Sequence, residues 1–465
     1  MRTRVRTGGL AAGVAGIVTA TMLGGVARAN RPNDFVAQQL SFHQIRAVEA
    51  WNYVVGSAGV IVAVLDSGVA IDHPDLAPNI WTNPGETASN GVDDDGDGFV
   101  DDVHGWNFRD DTNDVYDHLG RGTHVAGVVG AIGNNAQGVA GVCWHCTILP
   151  IKVMRDDMED PGVKASIAAK AIRYAADRGA KVIDCSFITG ENDPDLLAAV
   201  QYAVGKGAVV VASAGDRSSN LDDHPVYPAA WNLPGLLSVA DVDQGAKLAL
   251  SSDFGPKTVT LVAPGVNVFS TLPGGFVGRM TGSPQAAAHV AGAAALLFSM
   301  DPTLTGVEVA NRIATLSSNR GILKGKVKTE AILDLGLLVA QKRQTVDAHI
   351  IAPTRVKAGE IATFDGSTSE GPIVEWLWKF GDPADEFGKV VPHKWDRPGT
   401  VGVELQVRTA DGRTASIDQE ITIEQKPWIP GLCEVGRPAD AGANRGVLGL
   451  LLPLFGLLWA LRRRR

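Results

Sequence analysis

Between Val60 and about Leu316, short β-branched runs alternate with stretches of helical spacing, and this alternation limits the chain's fold more than any other feature. The runs VIVAVLD (60–66), TILPIKVM (147–154), KVIDCSF (181–187), AVVVASAG (208–215) and GLLSVADV (235–242) are apolar nearly throughout, as strands buried on both faces must be. Between them, KASIAAKAIRYAADRG and DPDLLAAVQYAVGKG repeat apolar residues at helical spacing and end on glycine, a helix stop. Strands linked through helices run parallel, because each crossover returns the chain to the same end of the sheet. The pattern predicts an α/β domain: a parallel sheet with helices on both faces.

From Thr345 to about Gln425 the pattern changes to strands separated by turn signals, with no convincing helix. That predicts a small all-β, Ig-like sandwich. WKFGDP (378–383) and HKWDRPGT (393–400) resemble the PKD domain, an extracellular module. The usual WxFGDG is altered here to WKFGDP, which predicts a changed turn on a retained aromatic core. The resemblance implies spacing or weak binding and no chemistry. The stretch around Leu337 to Gln344 is the expected hinge.

The chain has 465 residues and 45% hydrophobic content, enough for a large core and more than one domain. A net charge of -9 and a sequence pI near 5.6 exclude a general nucleic-acid binder, which needs a basic stripe. Arg2, Arg4 and Arg6 precede an apolar run from Leu10 to Val26, and Ala27-Arg28-Ala29 gives a small-x-small cleavage pattern: a secretory signal over 1–29. At the other end, the apolar segment Val447–Leu461 precedes Arg462–Arg465. It is shorter than the ~20 residues that span a bilayer core, and its basic end predicts a cytoplasmic terminus. With Cys433 upstream, it resembles bacterial C-terminal sorting tails, and a plain membrane anchor is the alternative. The expected organisation is a lead-in over 30–46, the α/β domain over 47–336, the sandwich over 345–425, a linker over 426–446 and the tail over 447–465. The bulk of the protein is expected outside the cytoplasm. Cys143, Cys146 and Cys185 then suit a structural disulfide or buried thiols, with the pairing left open.

Four segments occur in a telling order: VLDSGVAIDHPDL (64–76), GRGTHVAG (120–127), VVASAGD (210–216) and TGSPQAAAHVAG (281–292). They resemble the subtilisin-like serine peptidases. The resemblance implies a catalytic Asp, His and Ser in that chain order, plus an oxyanion-hole Asn. Carried over position by position, Asp66 matches the aspartate, Arg121 stands where HGTHVAG has its first histidine, Pro284 stands at the serine and Asp216 at the asparagine. The family's substrate cleft maps onto Cys185–Gly190 and Ala212–Gly215.

Chemistry judges these changes independently. A guanidinium cannot accept a hydroxyl proton at neutral pH. Proline has no side-chain nucleophile and no backbone N–H to offer an oxyanion. An ionised Asp216 would repel the negative charge that develops there. Ser283 as N-cap with Pro284 at the first helical position predicts an ordinary capped helix. Arg121 is expected to pair with Asp66. The expected function is therefore an exported, surface-anchored subtilisin-fold protein without peptidase activity, a binding or structural module for a peptide or protein ligand. An active serine endopeptidase is the alternative.

A second chemistry lies in NGVDDDGDGFVDDVHGW (90–106). Asp93, Asp95 and Asp97 alternate before Gly98, with Asp101 and Asp102 beyond. Alternating carboxylates on a glycine-turned loop suit Ca²⁺, a hard cation that takes six to eight oxygens. His104 stands where an EF-hand loop has its last glutamate, so a structural Ca²⁺ site of another kind is expected.

Overall fold

The structure is a computed structural model that describes residues 32–34, 38–156, 162–340, 346–371, 373–383, 385–409 and 413–425. The expected signal, linker and C-terminal tail lie outside the described residues. No helix among the described residues is long and apolar enough to cross a membrane.

Two short helices, α1 (Leu40–Gln44) and α2 (Ala47–Ala50), lead into β1 (Ile61–Asp66). There follow β2 (Trp106–Asn107), α3 (Arg121–Gly130), β3 (Thr147–Lys152), α4 (Ala165–Asp177), β4 (Val182–Cys185), α5 (Pro194–Gly205), β5 (Val209–Ser213), β6 (Leu236–Val242) and β7 (Leu261–Pro264). The hairpin β8 (Val268–Leu272) and β9 (Phe276–Met280) delivers the chain to α6 (Ser283–Met300) and α7 (Gly306–Leu316); β10 (Ser318–Asn319) and β11 (Ala331–Ile332) close the domain. The helix stops fall where the sequence places them, with Gly179 and Gly207 at positive φ. Asp193 caps α5 by accepting from the N–H groups of Asp195 and Leu196.

The nine-stranded sheet runs β10-β11-β7-β6-β5-β4-β1-β3-β2 and is parallel except for β10. Alternate residues of each strand enter opposite cores. Val62 and Val64 pack with α3 and α6, while Ala63 and Leu65 pack with α4 and α5. Both faces are buried, which explains why the strands read as continuous apolar runs. After β1 the chain crosses to β3 on one side and later to β4 on the other, so strand order reverses at β1. Loops diverge at such a point and leave a crevice beyond the carboxyl ends of the strands. Asp66 ends β1 at that edge of the sheet.

Cys143 and Cys146 form a disulfide just before β3, and Cys185 is a buried free thiol. In the C-terminal domain a five-stranded sheet (Arg355–Lys357, Thr414–Glu424, Gly399–Thr409, Ile373–Lys379, Glu386–Phe387) and the pair Ile361–Asp365 with Val390–Lys394 enclose an aromatic core. Phe364, Trp378, Phe380 and Trp395 form it, and the Trp378 and Trp395 indoles donate to the carbonyls of Gly388 and Phe380. Gly381 of WKFGDP has φ 77, so the altered turn keeps its left-handed glycine.

Candidate functional site

Asp66 is fully buried at the carboxyl end of β1. The Ser67 N–H donates to its Oδ1 at 2.7 Å, and Arg121 Nε lies 3.4 Å from the same oxygen. No acceptor lies in line with that Nε–H, and Asp66 Oδ2 has no hydrogen-bond partner, so the contact is coulombic. Burial pushes the Asp66 carboxyl up to about 6, against the opposing pull of Arg121. Helix α3 can come this close because Gly122 has no side chain: a Cβ there would sit 2.0 Å from the Gly68 carbonyl oxygen. Asp117, which the sequence reading passed over, holds the start of α3. Its carboxylate accepts from Ser67 Oγ, the N–H groups of Gly120 and Thr123, and Thr123 Oγ1.

The imidazoles of the two motifs are engaged elsewhere. His124 Nε2–H donates to the Val268 carbonyl at 3.0 Å, and His289 Nδ1–H to that of Gln285 at 2.7 Å. Burial pushes both down to about 4, so they are neutral at pH 7. His118 is exposed with its ring on Tyr116, 5.2 Å between centroids.

At the start of α6 the structure corrects the expected cap. Gly282, at φ 155, holds the N-cap position and Ser283 is the first helical residue, with Pro284 following. Ser283 is fully buried and turned inward: its Oγ accepts from the Gly215 N–H at 3.0 Å and lies 2.6 Å from Ser213 Oγ. The cap comes from Asp216, whose Oδ1 accepts from the Ser283 N–H at 2.8 Å. A carboxylate there complements the positive helix terminus. Burial raises the Asp216 carboxyl, opposed by the Ser283 N–H and by Arg121.

Beneath these groups sits Asp184 on β4, fully buried and accepting from Ser186 Oγ at 2.8 Å. Burial pushes its carboxyl up to about 8. Asp241 on β6 is also fully buried, neither of its oxygens has a hydrogen-bond partner, and burial pushes it up to about 6. An aspartate inside an otherwise apolar strand was the available signal for both.

Above them a cleft of about 630 Å³ runs between Ser186–Ile188 and Ser213–Arg217, bounded by Arg121, Met280 and Pro284. These are the segments onto which the sequence resemblance maps a peptide cleft. Residues 57–334 match the Subtilase family. The chain belongs to that family. The second domain, over 345–424, matches the PKD domain. Thermitase of Thermoactinomyces vulgaris is 34% identical over 281 residues, 60% of this chain and 89% of thermitase. A thermophilic serine proteinase of Bacillus sp. (strain AK1) is 38% identical over 250 residues, 54% of this chain and 55% of that protein. A protease structure from Pseudoalteromonas arctica superposes with a TM-score of 0.55 at 26% identity, covering 67% of this chain and 99% of that one. A cold-adapted subtilisin-like serine proteinase, with a TM-score of 0.50 at 23% identity over 61% of this chain and 91% of that one, shares the fold.

The acidic loop of the subtilase domain is ordered by its own backbone. Asp93 accepts from the N–H groups of Gly96, Asp97 and Gly98, and both glycines adopt positive φ. Carboxylate oxygens of Asp93, Asp95 and Asp97 lie within 4.8 Å of one another, as do those of Glu86, Asp95 and Asp102. Oxygens so placed fit one hard cation. Asp101 joins neither group, because its carboxylate is turned to the N–H groups of Asn90 and Gly91. Asp102 also accepts from Asn83 Nδ2 and from the Tyr174 hydroxyl. Arg178, far away in sequence on the end of α4, reaches Asp95 at 2.9 Å and Asp97 at 2.6 Å. Glu86 and Arg178 were not foreseen, since nothing local in the sequence links them to the loop.

Proposed function

We propose that this subtilase does not hydrolyse peptides and instead holds an extended peptide or protein segment in its cleft. One observation carries the reading: the group facing Asp66 is a permanent cation 3.4 Å away, where cleavage needs a proton acceptor. Pro284 adds no nucleophile. Ser186 and Ser213 also line the cleft, but both are buried and their hydroxyls are bonded to Asp184 and Ser283. Among the described residues no serine hydroxyl is hydrogen-bonded to an imidazole. The leader over 1–29 and the tail over 447–465 support export and attachment to the cell envelope.

The same reading includes a structural Ca²⁺ held by Asp93, Asp95 and Asp97. Bound there, the ion would supply positive charge to a loop whose aspartates are paired, among the described residues, with a single cation, Arg178.

A fluorophosphonate probe tests the main claim. The purified wild-type chain is expected to take up no label and to leave casein intact. The triple variant Arg121→His, Pro284→Ser, Asp216→Asn is expected to be labelled, because the fold still brings those positions to one crevice. Stoichiometric labelling of the wild type would reinstate an active endopeptidase.

A further inference from the structure

We infer that the connection between β10 and β11 is a membrane-facing surface that rests against anionic lipid headgroups. The inference rests on the envelope attachment proposed above and is independent of what the cleft holds.

The connection reads RGILKGKVK over 320–328, four cations without an acid, in a chain whose formal net charge is -9. Its conformation separates the apolar side chains from the charged ones. Leu323 and Val327 are buried and hold the segment to the domain, while Arg320, Lys324, Lys326 and Lys328 are exposed. Neighbouring backbone fixes the segment further. The Gly255 N–H donates to the Lys326 carbonyl at 3.0 Å, and the Lys328 N–H to that of Val259 at 2.8 Å.

None of the four cations lies within 4.0 Å of a carboxylate among the described residues. The Lys326 ammonium sits over the Phe254 ring at 4.9 Å, and that of Lys328 donates to Asn232 Oδ1 at 3.4 Å. The carboxylates of the adjoining segments are engaged elsewhere: Glu330 accepts from the Gly325 N–H, Asp222 from the N–H groups of Lys257 and Thr258, and Asp223 from Asn220 Nδ2. Lys257, which these contacts place against Asp222, is set apart from the surplus. Like charges held this close in sequence repel one another, and an anion facing them relieves that cost.

Ile322 favours a lipid surface over other anions. It is 52% exposed within the basic run, beside the buried Leu323. A soluble polyanion gains little from an exposed isoleucine. A headgroup layer takes the cations at its phosphates and the apolar side chain at the acyl boundary. Lysine suits such a layer, since its apolar stem can lie deeper than its charged end.

The test uses the full purified chain with vesicles of phosphatidylcholine alone or with about 30% phosphatidylglycerol, and reads lysine acetylation residue by residue by mass spectrometry. The chain is expected to float with both kinds of vesicle. Acetylation of Lys324, Lys326 and Lys328 should fall about threefold on the anionic vesicles relative to the neutral ones. Raising NaCl to about 0.5 M should restore it, because exposed charges are screened. Lys170, exposed on α4, should be labelled equally on both. The double variant Lys324→Glu, Lys326→Glu should lose the protection of Lys328 without a change in melting temperature. Equal acetylation on both vesicles, or protection of Lys328 that survives in the double variant, would overturn the inference and leave the envelope attachment standing. Protection by heparin with none by anionic vesicles would overturn it in favour of a soluble polyanion. Failure to float with either vesicle would overturn the attachment and this inference with it.

Discussion

Asp66 and Asp184 are close neighbours on adjacent parallel strands, yet burial shifts them unequally. Arg121 lies against Asp66, while Asp184 receives only the Ser186 hydroxyl, so their carboxyls rise to about 6 and about 8 from 3.8. A carboxyl raised on folding binds its proton more tightly in the native state. Its stability contribution is therefore full below the unfolded value and is lost as pH rises through the folded one. His124 and His289, lowered to about 4 from 6.5, act in the opposite sense, and only below 6.5. Above that pH the Asp184 proton dominates. Stability should fall between pH 6.5 and 8.5 by roughly 1 kcal/mol per pH unit at most, and Asp184→Asn, which mimics the neutral form, should flatten the profile. Urea melts across that range measure it, and an unchanged slope in the variant would refute the assignment. The Asp66–Arg121 contact was legible in the sequence because two motifs with a fixed family geometry contain the two residues. The Asp184 proton was not, because it depends on how completely neighbouring strands exclude water.

At the scale of elements, α6 shows how a helix start can be read correctly in place and wrongly in partner. Its alanine-rich run and Pro284 mark the boundary, and the structure begins the helix at Ser283. The expected cap failed because the hairpin β8–β9 brings Gly282 in with φ 155, which turns the Ser283 hydroxyl toward Ser213 and Gly215. The vacated role passes to Asp216, 67 residues away in sequence. Asp216→Ala should therefore cost about 1–2 kcal/mol, while Asp216→Asn, which keeps an acceptor, should retain most of that stability. Chemical denaturation of the three proteins decides it. An alanine variant as stable as wild type would show that the contact caps nothing.

For the molecule as a whole, the acidic loop is a candidate stabiliser. It packs through Asp102 and Arg178 onto α4, so a cation held by Asp93, Asp95 and Asp97 would couple to the main core. Saturating Ca²⁺ is expected to raise the melting temperature by about 3–8 °C over chelated protein. Asp93→Asn with Asp97→Asn should abolish the shift. Identical melting with Ca²⁺ and with chelator would dismiss the site.

What the sequence determined alone is whatever depends on near neighbours or on intrinsic chemistry. The alternation of apolar runs and helical spacing fixed a parallel α/β sheet, since both faces of each strand had to be covered. The identities of Arg121 and Pro284 decided which proton transfers and attacks those positions can support in any fold. Tertiary structure decided which distant groups answer one another: Asp216 at the start of α6, Arg178 in the acidic loop and the retained proton of Asp184. Each depends on distance and water exclusion between segments remote in sequence, and those quantities exist only once the chain has packed.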